Sequence, residues 1–161
     1  MKSIQPHIFL IRAVNRVMPW FPEKVSHVER QGFIEQAKKY IWRKYVLGWD
    51  GKGERGIDCS HLVCASMIDA WGAKDYFHRT AHDLMRLSQQ ISHEELSPGD
   101  LVFWNDSTTG RRHHVAIILR RNETTLDIID ASGESTGLWL TTERTADIRE
   151  DMDFARPPFF I

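Results

Sequence analysis

The sequence predicts an α+β domain in which helices come first and a mostly antiparallel sheet of about five strands follows. Apolar residues recur at helical spacing through the N-terminal half, whereas the C-terminal half holds short apolar runs separated by polar turns. Helices followed by strands in this order are typical of the α+β class. The chain has 161 residues, 42% of them hydrophobic, and no Ser/Pro-rich linker or repeat divides it. We therefore expect a single domain over residues 1–161.

Four helices are expected. Ser26 and Glu29 form a capping box at the start of the second, whose apolar stripe contains Phe33 and Ala37 and extends to Tyr40 and Ile41. Gly72 ends the third as a C-cap, and Thr80 begins the fourth as an N-cap. The predicted helices are Pro6–Met18, a helix from Ser26, Cys59–Trp71 and a helix from Thr80 to Ile91.

Five strands are expected after the helices. The run from His114 to Leu119 is apolar and mostly β-branched, which indicates a central strand buried on both faces. The predicted strands are Leu101–Trp104, His114–Leu119, Leu126–Asp130, Leu138–Thr141 and Phe159–Ile161.

Cys59 is a candidate nucleophile because it stands where a glycine-rich loop turns into an apolar helix. The unpaired N–H groups and the positive dipole at a helix N-terminus favour thiolate over thiol. Asp58 is expected to cap that helix. Cys64, five residues on, points elsewhere on the same helix and is interpreted as a small buried residue.

His114 is the candidate base, because it lies at the mouth of the predicted central strand. The next strand ends at Asp130, and in an antiparallel hairpin the mouth of one strand lies beside the end of the other. A carboxylate there would orient the imidazole as the third member of a Cys-His-acid triad. An acid before Ala-Ser-Gly is also a common turn former. Strand alternation directs His113 to the opposite face, which favours a structural role.

Four motifs in register resemble the NlpC-type, papain-like peptidoglycan endopeptidases. They are Asp58-Cys59-Ser60, the segment Leu96–Trp104, the pair His114-Val115 and the segment Ile129–Ser132, and the likeness covers roughly residues 30 to 145. The resemblance implies a papain-like NlpC-type fold, with Cys59 as nucleophile, His114 as base and Asp130 in a third position that more often holds His, Asn or Gln.

The resemblance also identifies residues of the substrate cleft. Tyr45 looks like the tyrosine that helps to bind the oxyanion in this family, and Trp49, Asp58 and His61 are cleft candidates. His61 departs from the family pattern, which usually continues Asp-Cys-Ser-Gly. The histidine at this position is expected either to form the cleft wall or to contact substrate.

By resemblance, the expected activity is hydrolysis of an amide bond in the peptidoglycan stem peptide, often the bond between D-Glu and the diamino acid, without metal or organic cofactor. Three alternatives stay open. The same Cys-His pair could serve an acyltransferase or deamidase acting on proteins, and the fold could serve as a non-catalytic binding module. The third is a zinc site, for which the spacing of the candidate ligands is unfavourable; these ligands are Asp58, Cys59, His61, Cys64, His113 and His114.

Charge and hydropathy suggest where the chain acts. A formal net charge of −1 offers no basic surface for nucleic acid, and no apolar stretch is long enough to span a membrane. Arg12, Asn15 and Arg16 interrupt the apolar N-terminal stretch, so it does not read as a secretory signal. We expect a monomer made in the cytoplasm that acts in the periplasm or cell wall after specialised export. An interbacterial toxin with an immunity protein as partner, or a phage lysis enzyme, fits that expectation.

Overall fold

Three α-helices and six strands make up the part of the chain that the computed structural model describes, residues 27–48, 56–72, 79–133 and 136–157. The helices are α1 (His27–Lys38), α2 (Cys59–Trp71) and α3 (Ala81–Leu87). The strands are β1 (Gln89–Ile91), β2 (Leu101–Asn105), β3 (Arg112–Arg121), β4 (Thr125–Ser132), β5 (Leu140–Asp147) and β6 (Met152–Arg156). A 3-10 helix, His93–Glu95, lies between β1 and β2.

The strands form one sheet in the order β1-β6-β2-β3-β4-β5, and every neighbouring pair is antiparallel. Helices precede this sheet along the chain, so the predicted α+β class is confirmed, with six strands in place of about five. β3 is central and is buried on both faces, as predicted. Its residues Val115 and Ile117 join the core under the helices, while Ala116 and Ile118 join a second core on the other face.

The helical predictions are confirmed where the apolar pattern is strong. α1 buries Phe33 and Ala37 completely, although it ends at Lys38, so Tyr40 and Ile41 lie beyond it. α2 has the predicted bounds, and Gly72 caps it in the left-handed conformation with its N–H bonded to the Ile68 carbonyl. Three predictions depend on residues outside the described ranges: the helix from Pro6, the strand from Phe159, and the capping box that begins at Ser26.

Two predictions at the edge of the sheet are wrong. The fourth helix ends at Leu87 instead of Ile91, because Gln89–Ile91 pairs with Arg156–Phe154 as an edge strand. The strand expected at Leu138–Thr141 begins at Leu140 and continues to Asp147, in register with all of β4. The strand Met152–Arg156 was not predicted at all. Among the described residues, no helix is long and apolar enough to cross a membrane.

Candidate active site

Cys59 is the first residue of α2, and Asp58 builds the turn that presents it. Asp58 has extended backbone angles, and its Oδ1 accepts hydrogen bonds from the His61 N–H at 2.8 Å and the Ser60 hydroxyl at 3.0 Å. Its Oδ2 accepts from the Gly48 N–H at 2.8 Å, which ties the preceding loop to the helix start. Burial alone would raise the pKa of Asp58, but hydrogen bonds to the His61 side chain and backbone lower it. The cap is therefore an ionised carboxylate.

The two cysteines of α2 are both buried and unbridged, and Cys59 contacts the histidine of the site. Cys64 is 2% exposed, and burial raises the pKa of its thiol to about 12. Cys64 is thus an inert thiol at neutral pH, whereas Cys59 lines a cavity.

His114 and Asp130 are neighbours, as the hairpin argument predicted. His114 Nε2 lies 2.8 Å from Asp130 Oδ2 across the β3–β4 pair. Burial by itself lowers the pKa of His114, but hydrogen bonds to Asp130 and to the Cys59 side chain outweigh it and raise that pKa to about 9. The three side chains therefore form one chain of contacts from thiol to imidazole to carboxylate. At neutral pH the imidazole in this chain is protonated.

Asp130 is not a turn former, because it lies inside β4 opposite Thr142 and its side chain is fully buried. A second partner holds it. Arg144 on β5 donates from Nε to Oδ1 at 3.0 Å and from Nη2 to Oδ2 at 2.6 Å. Burial would raise the pKa of Asp130, but hydrogen bonds to His114 and Arg144 lower it. Sequence reasoning missed Arg144, since nothing in a single chain reveals that β5 continues beyond Thr141 into register with β4.

Tyr45 lies at the cleft between the helix start and the sheet. It forms a parallel bridge with Ile57, and its N–H donates to the Trp139 carbonyl at 2.8 Å. Its ring packs 5.8 Å from that of Trp139, above Gly133, where a Cβ would come within 3.0 Å of both rings. The backbone on both sides therefore fixes Tyr45. Trp49, the remaining cleft candidate, lies outside the described residues.

Two cavities meet at the site and share Tyr45, Leu47 and His113. The smaller, about 390 Å³, contains Asp58, Cys59 and His61, which places both remaining cleft candidates on its wall. The larger, about 710 Å³, contains His114 and Arg144. His113, near the start of β3, is exposed and lines both cavities, and its structural role stays a prediction.

Arg79 is a second residue that sequence reasoning missed. It lines the smaller cavity beside Cys59, and its Nε is buried with no hydrogen-bond acceptor among the residues described. Within the same described ranges, no group of three or more His, Cys, Asp or Glu side chains could hold a metal ion. A guanidinium nitrogen without an acceptor, in the cavity that also contains the Cys59 thiol, offers a binding point for a substrate carboxylate.

Comparisons with known proteins place these residues in a family context. The model of the NlpC/P60 family matches residues 43–147, which include Cys59, His114 and Asp130. The chain is 28% identical over 104 residues to murein DD-endopeptidase MepS/murein LD-carboxypeptidase of Escherichia coli K12, covering 64% of this chain and 52% of that protein. It is 32% identical over 81 residues to gamma-DL-glutamyl hydrolase of Bacillus subtilis, covering 50% of this chain and 19% of that protein. The chain thus spans about half of the first relative and a fifth of the second.

Solved structures share the fold. The peptidoglycan hydrolase RipB from Mycobacterium tuberculosis superposes with a TM-score of 0.56 at 20% identity, covering 94% of this chain and 81% of that one.

Proposed function

The chain belongs to the NlpC/P60 family, and we propose that it is a peptidoglycan hydrolase that cleaves an amide bond of the stem peptide through the thiol of Cys59. One observation carries the proposal. Cys59, His114 and Asp130 stand in one contact chain, and they line two cavities that share Tyr45, Leu47 and His113 or lie directly behind them. This is the arrangement that thiol-dependent amide hydrolysis requires.

In the proposed first step, Cys59 reacts as a thiolate whose proton His114 already holds, and the sulfur attacks the carbonyl carbon of the scissile amide. The negative charge moves to the carbonyl oxygen. The Cys59 backbone N–H has no acceptor within its own helix and is one donor for that oxyanion. The Tyr45 hydroxyl is the second donor. His114 then returns the proton to the leaving amine, and a thioester remains on Cys59.

In the second step, His114 removes a proton from water, which attacks the thioester carbonyl. The carboxylic acid product leaves, and the Cys59 thiolate beside protonated His114 is regenerated. Asp130 accepts the Nε2–H of His114 throughout, so the other ring nitrogen exchanges protons with sulfur, water and amine. The cycle consumes one water and needs no other reactant.

The smaller cavity is suited to bind a substrate residue that carries a free carboxylate. A γ-linked D-Glu residue leaves its α-carboxylate unbound beside the peptide bond. Arg79 Nε has no hydrogen-bond acceptor among the described residues, and Arg79 lines the same cavity as Cys59. A charge-assisted bond from Arg79 to that carboxylate would place the bond between D-Glu and the diamino acid at the sulfur.

The site of action is proposed from the substrate. Cross-linked peptidoglycan lies outside the cytoplasm, so the protein acts in the periplasm or cell wall after export. A role as an interbacterial toxin with an immunity protein as partner, or as a phage lysis enzyme, is consistent with such a protein. The alternative proposal is an acyltransferase or deamidase that uses the same thiol on protein substrates.

The test is digestion of purified peptidoglycan with the purified protein, followed by mass analysis of the muropeptides. The wild type should release shortened stem peptides, and Cys59→Ala should release none. Cys64→Ala is the matched control on the same helix and should retain activity. Tyr45→Phe removes one oxyanion donor, which typically costs about 3 kcal/mol or roughly a hundredfold in rate. Unchanged muropeptides with wild-type protein would overturn the proposal.

A further inference from the structure

Among the described residues, the hydrogen bonds of Arg144 go to Asp130, the carboxylate on which His114 depends. We propose that Arg144 is a positioning residue of the reaction: its guanidinium clamps both oxygens of Asp130 and so fixes the orientation in which Asp130 holds His114. This inference rests on the proposed function of the site.

The geometry is that of a two-pronged clamp. Arg144 Nε and Nη2 lie 3.0 and 2.6 Å from the two oxygens of Asp130, and His114 Nε2 lies 2.8 Å from Oδ2. A planar guanidinium with two parallel bonds fixes the plane of the carboxylate, which a single bond does not. The Asp130 side chain is fully buried, so its charge is balanced by its partners Arg144 and His114 and not by bulk solvent.

Sheet register and an aromatic ring hold Arg144 in place. Arg144 lies directly opposite Ile128 and reaches diagonally to Asp130, two residues further along β4. Its guanidinium carbon lies 6.0 Å from the centre of the Trp104 ring, and that ring lies 5.0 Å from the ring of His114. Trp104 therefore supports both the clamp and the base, which leaves Asp130 little freedom to turn.

The negative charge of Asp130 is balanced by two cations, Arg144 and protonated His114. His114, on β3, contacts both Asp130 and the side chain of Cys59 on α2. Arg144, on β5, contacts Asp130. The other charged or titratable groups lining the larger cavity are Tyr45, His113, Asp147 and Arg149. Without Arg144, the buried carboxylate would neutralise its charge through His114 alone. The imidazolium would then hold its proton more tightly and release it more slowly to the leaving amine.

The experiment compares Arg144→Gln and Arg144→Lys, each in the wild type and in Asp130→Asn. Three readouts are used: the NMR titration of the His114 ring, the rate at which iodoacetamide modifies Cys59, and muropeptide turnover. Arg144→Gln should raise the pKa of His114 and lower kcat about tenfold with KM within twofold. Arg144→Lys keeps the charge but loses the fork, so it should restore the titration more than the turnover.

The decisive comparison is the double variant. In Asp130→Asn there is no carboxylate to clamp, so adding Arg144→Gln should cause no further loss of kcat. The double variant, with Asn at 130 and Gln at 144, leaves no buried charge without a partner. It can therefore be compared with Asp130→Asn even if Arg144→Gln alone does not fold. Arg120→Gln is the matched control, because Arg120 makes a similar cross-strand pair with Asp127 at 2.7 Å far from the cavities; it should leave all three readouts unchanged.

Two outcomes overturn the inference: unchanged His114 titration and kcat in Arg144→Gln, or an equal loss of kcat with and without the Asp130 carboxylate. A rise in KM alone would assign Arg144 to substrate binding and would also overturn it. Failure of the proposed function looks different. Wild-type protein would then release no muropeptides, while the titration and alkylation readouts would still respond to Arg144 as described.

Discussion

Cys59 and Cys64 lie on one helix, yet their surroundings act on the two thiols in different ways. Cys59 heads α2, contacts His114 and borders a cavity, whereas Cys64 is enclosed and burial raises its pKa to about 12. At pH 7 iodoacetamide should modify Cys59 at least about a hundredfold faster than Cys64, because only the thiolate reacts. Mass spectrometry of tryptic peptides measures both rates. Equal rates in the folded protein would contradict the assignment of the nucleophile.

Asp130 supports His114 by charge and by geometry, and the two contributions are separable. Asp130→Ala removes the largest contact that raises the pKa of His114, so burial should lower this pKa well below 9. The basic limb of the pH–rate profile should move to lower pH with it. We expect kcat to fall about a hundredfold in Asp130→Ala and about tenfold in Asp130→Asn, which still accepts the imidazole N–H. Wild-type turnover in Asp130→Ala would contradict an orienting role.

The site residues that sequence predicted are those with a local signature. Cys59 is marked by the loop-to-helix transition, and His114 and Asp130 by the ends of two adjacent strands. Arg79 and Arg144 carry no such mark. Their roles depend on groups that lie elsewhere in the chain, Cys59 for Arg79 and Asp130 on the neighbouring strand for Arg144, and no local pattern encodes that.

Among the helices and strands, those with long runs of buried apolar residues were predicted correctly. α2 and β3 have long apolar patterns, and the structure has them at nearly the predicted bounds. Gln89–Ile91 follows a helix and contains one buried residue, which is too weak a local pattern to predict a strand. It is a strand because it pairs with β6. β6 itself alternates weakly and includes Asp153 and Arg156, which find charged partners across the sheet. Long-range pairing of this kind overrides local propensity.

Gly56 shows how the loop before α2 shapes the cleft. Its φ is +107°, and a Cβ there would lie 2.5 Å from the Lys44 carbonyl oxygen, in the segment that carries Tyr45. Gly56→Ala should therefore destabilise the fold by about 3–5 kcal/mol, combining positive-φ strain and overlap. Gly110→Ala is the matched control: φ is +64°, nothing lies within 4 Å of the added Cβ, and strain alone costs roughly 1–2 kcal/mol.

Urea unfolding of the two glycine variants measures both costs. Gly56→Ala should also slow the alkylation of Cys59. The added Cβ overlaps Lys44, and Lys44 and Gly56 are the residues directly before Tyr45 and Ile57, whose backbones form a bridge at the cleft. Equal destabilisation of the two variants would show that the close approach at Lys44 relaxes without cost.

For the whole molecule, the raised pKa of His114 links stability to pH. The folded pKa of about 9 lies above the ordinary value of 6.5, so folding is favoured where the imidazole is protonated. This contribution is complete below pH 6.5 and is lost as pH rises through 9, and its size is about 3 kcal/mol. Thermal unfolding between pH 6.5 and 9.5 should show the loss in the wild type and not in His114→Asn. His93→Gln, at a partly exposed histidine, should keep the wild-type profile.

The compartment of action can be tested on the intact protein in a bacterial host. Made in the cytoplasm, where no cross-linked wall exists, the protein should be harmless. Fused to a periplasmic signal peptide, it should cause rounding or lysis and shorten the stem peptides of the host wall. The fused Cys59→Ala variant should be harmless, because without a thiolate no thioester forms. The fused Cys64→Ala variant controls for export and folding and should remain lytic. Toxicity in the cytoplasm that requires Cys59 but leaves muropeptides unchanged would instead support an acyltransferase or deamidase, and would overturn the peptidoglycan assignment while leaving the thiol chemistry intact.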